Sequence, residues 1–168
     1  MNKLSRTALA LLAFTTLGLT MLMIAIIAGL GSTSLMAQGK SRIAPMSLYK
    51  AMFDGNLQSG LVQFRNYNGK QLIYFTALQT MHCRLKEIRY SVNSDALDKR
   101  FDIVKCNPQN PFALPPKTGL KDVLISLAPG TAKSVAVQVL WEDGSESVVA
   151  KYEPCKDVGD QTCAWPLD

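Results

Sequence analysis

The sequence predicts an all-β, seven-stranded antiparallel domain that follows one N-terminal transmembrane or signal helix. An uncharged run of 24 residues at positions 7–30 precedes short segments in which apolar and polar residues alternate. Alternation with a period of two is typical of a strand with one buried face. Asn-Gly and Asp-Gly dipeptides separate two pairs of these segments, and both dipeptides favour the tight turns of β-hairpins. Together these features indicate a membrane-targeted β domain.

The clearest hairpin lies between residues 135 and 152. Large apolar residues occupy alternate positions from Val135 to Trp141, and Asp143-Gly144 follows shortly after. An Asp-Gly dipeptide favours a two-residue type I′ turn, which fixes the register of the two strands. One face of the hairpin is therefore expected to be buried. The expected pairs are Val139 with Val148, Val137 with Ala150 and Val135 with Tyr152.

Five further segments have strand character. A second hairpin is expected around Asn68-Gly69, with Phe64 opposite Ile73. Its second strand is apolar on both faces, which indicates a central position in a sheet. The proline-rich segment 107–118 cannot form a central strand and is expected to be a loop. The five segments are 61–67, 71–78, 83–92, 101–106 and 123–127.

The stretch that leads into the clearest hairpin reads Leu127-Ala128-Pro129-Gly130, and the hairpin itself contains Trp141-Glu142-Asp143-Gly144-Ser145-Glu146-Ser147. With the valine strand between them, they resemble the last three strands of bacterial immunoglobulin-like and fibronectin type III-like domains. Seven strands in about 95 residues also match an immunoglobulin-like sandwich in size and strand number. Most such domains bind partners or act as spacers, so the resemblance implies a fold and no chemistry.

The uncharged run at residues 7–30 has two competing interpretations. At 1.5 Å per residue, a helix of this length crosses the roughly 30 Å hydrocarbon core of a bilayer, which favours an uncleaved anchor. A cleaved signal normally has an apolar region of about 7 to 15 residues. However, small residues after Leu30 offer cleavage sites near Ser34 or Ala37. Both interpretations remain open.

Four cysteines follow this run, at Cys83, Cys106, Cys155 and Cys163. An even number after a membrane-targeting segment is typical of disulfides in an oxidising compartment. Three connectivities are possible, and the sequential one, which joins the first to the second and the third to the fourth, is preferred. The domain is therefore expected in the periplasm, either anchored in the inner membrane or released after signal cleavage.

These patterns divide the chain into five parts. The residues before the run are expected in the cytoplasm, and those after it form a stalk with a short helical turn. Pro45 precedes Leu48, Met52 and Phe53 at helical spacing, which predicts that turn. A β-sandwich domain and a C-terminal tail with a disulfide loop follow. The predicted parts are 1–6, 7–30, 31–57, 58–155 and 156–168.

The sequence contains no pattern of known catalytic chemistry. Nucleophile-elbow, P-loop and dinucleotide-binding patterns are absent, and His82 is the only histidine. Its neighbour Cys83 would point to the opposite face of a strand, so the two cannot form a dyad there. Zinc sites need close cysteine pairs, whereas 22, 48 and 7 residues separate these cysteines. Asp157 and Asp160 lack the EF-hand spacing, so no calcium site is expected there. Taken together, these absent patterns lead us to expect no enzyme activity, cofactor or metal.

The charges of the chain are unevenly placed. Residues 38–141 contain 14 Lys or Arg and 6 Asp or Glu, whereas residues 142–168 contain 2 and 7. Outside the cytoplasm, such a basic region indicates an acidic partner, anionic lipid or a solvated face rather than nucleic acid. Phe112, Leu114 and Trp165 are the candidate contacts with a protein partner. Most other aromatic residues are expected in the core rather than stacked on sugars, namely Tyr67, Tyr74, Tyr90, Trp141 and Tyr152.

Three functional hypotheses remain, and no small-molecule ligand is expected. The first is a non-catalytic periplasmic module that binds a protein partner or serves as an accessory of an envelope assembly, with residues 7–30 as its tether. The second is a secreted or surface glycan-binding domain. The third is a small hydrolase or enzyme inhibitor, whose hydrolytic chemistry would depend on His82.

Overall fold

The structure is a computed structural model, and it describes residues 41–168. The predicted cytoplasmic segment 1–6, the anchor or signal segment 7–30 and most of the predicted stalk lie outside these residues. Within residues 41–168, no helix is long and apolar enough to cross a bilayer.

Most of the regular structure consists of antiparallel strands in two sheets. One sheet has three strands in the order β1-β2-β5, and the other has five in the order β4-β3-β6-β7-β8. Each of the seven predicted segments overlaps a strand, although segment 101–106 does so only at Phe101, and β8 lies in the predicted tail. The predicted central position of β2 is confirmed. The strands are β1 (Gln63–Tyr67), β2 (Lys70–Tyr74), β3 (Leu85–Val92), β4 (Lys99–Phe101), β5 (Leu124–Leu127), β6 (Val135–Trp141), β7 (Ala150–Glu153) and β8 (Trp165–Leu167).

The two sheets contribute to one apolar core. Phe75, which directly follows β2, stacks on Phe101 of β4 with ring centroids 4.2 Å apart. Its edge also meets Tyr90 of β3 at 5.1 Å. Aromatic pairs at these distances add about 0.5–1.5 kcal/mol to the effect of burial alone. The core between the sheets is therefore anchored by a three-ring cluster.

Helix α1 (Met46–Asn56) corrects the interpretation of this region as a stalk. Tyr49 and Phe53 lie four residues apart, on one face of the helix, and both are buried in the core. Phe53 packs edge-on against Trp141 of β6, with centroids 5.8 Å apart. Residues 46–56 are therefore part of the folded domain, because they bury large aromatic side chains that a stalk would leave exposed.

The segment after β2 also differs from the prediction, which continued the strand to residue 78. The chain instead forms helix α2 (Thr76–Gln79) and then the 3-10 turn His82–Arg84. The buried side chain of Gln79 explains this change. Its Nε2 donates to the carbonyls of Asp102 and Asp122 at 2.6 and 2.9 Å, and its Oε1 accepts from the amide of Val104. A buried amide with three partners stabilises the turn that directs it inward.

The hairpin between β1 and β2 forms as predicted. Asn68 and Gly69 have φ values of 50° and 68°, the left-handed conformation that a type I′ turn requires at both central positions. The register pairs Phe64 with Ile73. Both of these side chains are buried, so the hairpin directs one apolar face towards the core.

The hairpin between β6 and β7 is only partly as predicted. Val135 pairs with Tyr152 and Val137 with Ala150, which confirms the register at its open end. At the turn, the amide of Trp141 donates to the carbonyl of Ser145, so the loop has three residues and only Gly144 has a positive φ, 83°. The predicted pair of Val139 and Val148 is therefore wrong. Because the register is shifted by one here, Val148 is 62% exposed.

Two disulfides join Cys83 to Cys106 and Cys155 to Cys163, which confirms the sequential connectivity. No free cysteine remains. The first disulfide links the 3-10 turn before β3 to the segment after β4. The second closes a loop whose last residue, Cys163, pairs with Phe64 at the edge of β1.

Candidate functional site

The outer face of the three-stranded sheet is unusually apolar. Leu72 and Tyr74 of β2 alternate with the buried Ile73, so their side chains face away from the core. Leu124 of β5 pairs with Tyr74 and lies on the same outer face. A sheet with one solvated face normally carries polar side chains there, so this face differs from the expected pattern.

These side chains form the floor of an open depression of roughly 550 Å³, here called the outer groove. Tyr67 of β1, which is 51% exposed, borders it on one side, and Leu120, which is 75% exposed, borders it on the other. Contiguous exposed apolar side chains mark candidate interaction sites, and these two border the same depression. The groove is lined by Arg65, Tyr67, Asn68, Lys70, Leu72, Tyr74, Leu120, Lys121, Leu124 and Ser126.

Local structure positions both walls of the groove. The type I′ turn at Asn68-Gly69 holds Tyr67 directly opposite Lys70. On the other side, the 3-10 turn Leu120–Asp122 is fixed because the Asp122 carboxylate accepts a hydrogen bond from the amide of Gly119 at 2.7 Å. The Asp122 carbonyl is held in turn by the buried side chain of Gln79. The groove is therefore formed by restrained turns.

The groove has cations at its rim and no carboxylate among its lining residues. Arg65 lies over the ring of Tyr67, with its guanidinium carbon 4.4 Å from the ring centroid. Its Nη2 lies 3.5 Å from a carboxylate oxygen of Asp160. Within residues 41–168, neither Lys70 nor Lys121 has a carboxylate within 4.0 Å. An apolar floor with unpaired cations beside it suits a ligand that is both apolar and anionic.

The candidate contacts that were proposed from the sequence lie elsewhere. Phe112 stacks on Tyr49, with centroids 5.1 Å apart, and thus packs against helix α1. Leu114 is half-buried in the same loop. Trp165 is 60% exposed on β8, opposite Glu153 of β7. None of the three lines the outer groove.

The sequence reasoning missed the groove because it assigned most tyrosines to the core. Tyr90 and Tyr152 are buried as expected, and Trp141 is too. Tyr67 and Tyr74 instead lie on the outer face. For Tyr74, the signal is the apolar character of both faces of the 71–78 segment, which predicts a central strand and also places apolar side chains on its outer face.

His82 lies on the 3-10 turn that precedes β3, not on a strand, and it is buried. Its Nδ1 donates to the carbonyl of Gln79 at 2.5 Å, while its Nε2 has no partner within residues 41–168. A ring nitrogen of His82 and the sulfurs of Cys83 and Cys106 lie within 4.8 Å of one another. Because these sulfurs form a disulfide, they offer no thiolate to a metal or to a catalytic dyad.

No protein-family model matches this chain, and no curated protein or solved structure matches it either. The outer groove is therefore the basis for assigning a function.

Proposed function

We propose that this chain is a non-catalytic extracytoplasmic module that binds an acidic and apolar segment of a protein partner in its outer groove. The observation that supports this most is the combination of Tyr67, Leu72 and Leu120 with the unpaired cations Lys70 and Lys121. Such a surface leaves apolar area in water until a partner covers it. Carboxylates on the partner would approach the cations and fix its position.

A protein segment fits this groove better than a small ligand. The groove lies along the face of a sheet and is open to solvent at Tyr67 and Leu120, whereas small-molecule sites bury most of their ligand. Its tyrosines and its arginine are residue types that are enriched in protein interfaces, and none of its lining residues is a carboxylate.

The proposed architecture is an immunoglobulin-like or fibronectin type III-like sandwich. The order β1-β2-β5 corresponds to strands A, B and E of such a domain, and β4-β3-β6-β7 corresponds to C′, C, F and G. In this assignment, β8 is an addition at the edge of the second sheet. Domains of this architecture commonly bind partners, which agrees with the proposed role.

The proposed location is the periplasm, with residues 7–30 as an inner-membrane anchor or as a cleaved signal. Two disulfides without a free cysteine support an oxidising compartment. The partner is then another component of the cell envelope, and the module serves as an accessory in its assembly.

Glycan binding is a second candidate, because the ring of Tyr67 is half-exposed and lies on a flat sheet face. Aromatic faces of this kind can stack on sugars. Retention on a neutral polysaccharide resin that Tyr67→Ala abolishes and Lys70→Glu does not would favour it over the protein-binding role. The hydrolase hypothesis depends on His82, which is buried beside a disulfide, and we do not propose it.

A photo-crosslinking experiment on the full chain in its native envelope tests the proposal. A photoreactive amino acid at position Leu120, at the groove, should give one major crosslinked protein whose attached segment is rich in acidic residues. The same amino acid at position Val148, which is similarly exposed but outside the groove, is the matched control. Lys70→Glu with Lys121→Glu should remove the Leu120 product. Equal products at both positions, or a product that survives the charge reversal, would contradict the proposed function.

A further inference from the structure

One edge of the three-stranded sheet is hydrogen-bonded to another segment of the chain, and the other edge is not. At the β1 edge, the amide of Phe64 donates to the carbonyl of Cys163 at 3.0 Å, and the amide of Cys163 donates back to Phe64 at 2.9 Å. The side chain of Arg65 also donates to the carbonyl of Asp160 at 2.6 Å. The disulfide loop that ends at Cys163 therefore covers this edge with the chain's own backbone.

The direction of the backbone groups of β5 follows from these contacts. In an antiparallel ladder, successive residues direct their N–H and C=O groups to opposite sides. Phe64 directs its groups away from β2, whereas Phe75, just past β2, donates to the carbonyl of Val123 on the β5 side. The register between β2 and β5 then requires Ile125 and Leu127 to pair with β2. The backbone groups of Leu124 and Ser126 consequently point away from the sheet.

No other group within residues 41–168 hydrogen-bonds to this outward side of β5, which is the last strand in its sheet. The outward groups comprise two N–H donors and two C=O acceptors; Ser126 is exposed, whereas Leu124 is only 8% exposed. Such a row is a template on which another extended chain can pair.

The remaining sheet edges have features that discourage pairing. The β4 edge carries Lys99 and Arg100, both exposed. The β8 edge carries Pro166, which has no N–H to donate. Charged residues and proline are the usual means by which proteins block such edges. The sequence of β5, Leu124 to Leu127, contains neither, so β5 is the one edge strand in the described part of the chain without protection.

We infer that the partner segment binds by adding a strand to the free edge of β5. This inference rests on the proposed function and specifies how the groove is used. An added strand would hydrogen-bond to Leu124 and Ser126. Its side chains on one face would continue the inner layer beside Ile125 and Leu127, and those on the other face would lie beside the groove and Lys121. In the immunoglobulin-like assignment, this position is that of strand D, which pairs with E.

The occupant is therefore an extended segment in which apolar and acidic residues alternate. The apolar residues would cover the inner layer, and the acidic residues would approach the cations of the groove. A second copy of this chain fits less well, because its own β5 edge, Leu124 to Leu127, has no carboxylate to approach the cations of the groove. The charge of the groove thus favours a different, acidic chain.

A proline substitution at the edge separates strand addition from binding in the groove alone. Ser126→Pro removes an outward N–H without removing a hydrogen bond to β2, so the fold should be retained. The probe is a short synthetic peptide that alternates glutamate with valine and phenylalanine, with a fluorescent label for anisotropy. Ser126→Pro should weaken its binding by about tenfold, or about 1.4 kcal/mol. Val148→Ala, at an exposed position outside the groove and the β5 edge, should bind within about twofold of the unmodified protein, which is less than 0.5 kcal/mol.

Peptide N-methylation provides a second test that does not alter the protein. Methyl groups on the backbone nitrogens of one alternate set should weaken binding by about tenfold, whereas methylation of the other set should have little effect. Equal effects for both sets, with normal binding to Ser126→Pro but loss with Lys70→Glu, would overturn strand addition and leave groove binding intact. Absence of binding to the unmodified protein would overturn both. If the probe induces dimers of the chain in sedimentation experiments, the occupant of the β5 edge is a second copy of the chain and the proposed acidic partner is wrong.

Discussion

On the outer face of the five-stranded sheet, cations and carboxylates pair with one another, whereas Lys70 and Lys121 at the outer groove have no carboxylate within 4.0 Å in the described part of the chain. Arg89 of β3 contacts Glu87 at 3.0 Å and Glu146 at 2.6 Å, and Arg100 of β4 also pairs with Glu87. Lys151 of β7 pairs with Asp95 at 2.6 Å. Several cations of the first face are therefore paired within the fold, whereas Lys70 and Lys121 at the groove are not.

This difference distinguishes a solvated face from a candidate interface better than net charge does. Both faces carry several cations, so a count of Lys and Arg would not separate them. Surface ion pairs contribute only about 0–1 kcal/mol each, so the paired face is not made much more stable by its charges. The paired face also carries exposed apolar side chains, among them Trp165 and Leu167. The outer groove differs because its apolar side chains Leu72 and Tyr74 lie beside cations that have no carboxylate partner among the described residues.

The largest expected loss in the free energy of unfolding comes from substitution on the buried face of β2, compared with substitution on its outer face. Ile73→Ala removes a fully buried side chain of β2 and should lower the free energy of unfolding by about 2–5 kcal/mol. Leu72→Ala, on the outer face, should cost less than about 1.5 kcal/mol and should weaken binding of the acidic probe. Urea melts and probe anisotropy on the same two variants measure both quantities. If Leu72→Ala destabilises as much as Ile73→Ala, the outer face belongs to the core.

Substitutions in the turns of the two hairpins should lower the free energy of unfolding by an intermediate amount. Gly69 and Gly144 both have positive φ and open space around the position of a Cβ, so an alanine at either would meet backbone strain but no clash. Each substitution should therefore cost about 1 kcal/mol in a denaturant melt. Only Gly69→Ala should also change probe binding, because its neighbours Asn68 and Lys70 line the groove.

Gly55, which lies in helix α1, is the control for these turns. It has no positive φ and no atom within 4 Å of a Cβ position, so Gly55→Ala should be neutral or stabilising by up to about 1 kcal/mol. A loss at Gly55 similar to that at Gly144 would show that the cost does not arise from left-handed backbone.

The strands could be predicted from the sequence because their signals are local. Residue alternation and the Asn68-Gly69 dipeptide identify strands and a turn without reference to the rest of the chain. The Asp143-Gly144 turn was predicted with the wrong length, because Asp-Gly suits both a two-residue turn and a three-residue loop with glycine in the left-handed position. The residue types at the turn do not distinguish a two-residue turn from a three-residue loop.

The helices and the groove depend on contacts between distant parts of the chain. Gln79 is buried because backbone groups of Asp102, Val104 and Asp122 surround it, and nothing near residue 79 in sequence indicates this. The groove likewise requires Leu120 to lie beside β2, almost 50 residues away in the chain. Periodicity indicated that β2 has two apolar faces, but only the sheet order identifies which face lacks a cover.

The smallest expected effect tests the charge comparison itself. Glu87 pairs with both Arg89 and Arg100, so Glu87→Gln leaves two cations close together and should lower the free energy of unfolding by about 0.5–1 kcal/mol. Lys121 has no ion pair within residues 41–168, so Lys121→Gln should leave stability unchanged while it weakens probe binding. Both effects are electrostatic and should diminish between low salt and about 1 M salt, where the Debye length falls to about 3 Å. Urea melts at the two salt concentrations measure the first effect, and anisotropy measures the second. A stability loss for Lys121→Gln equal to that for Glu87→Gln would mean that the cations of the groove already have partners in the folded chain, and the proposed difference between the two faces would then be wrong.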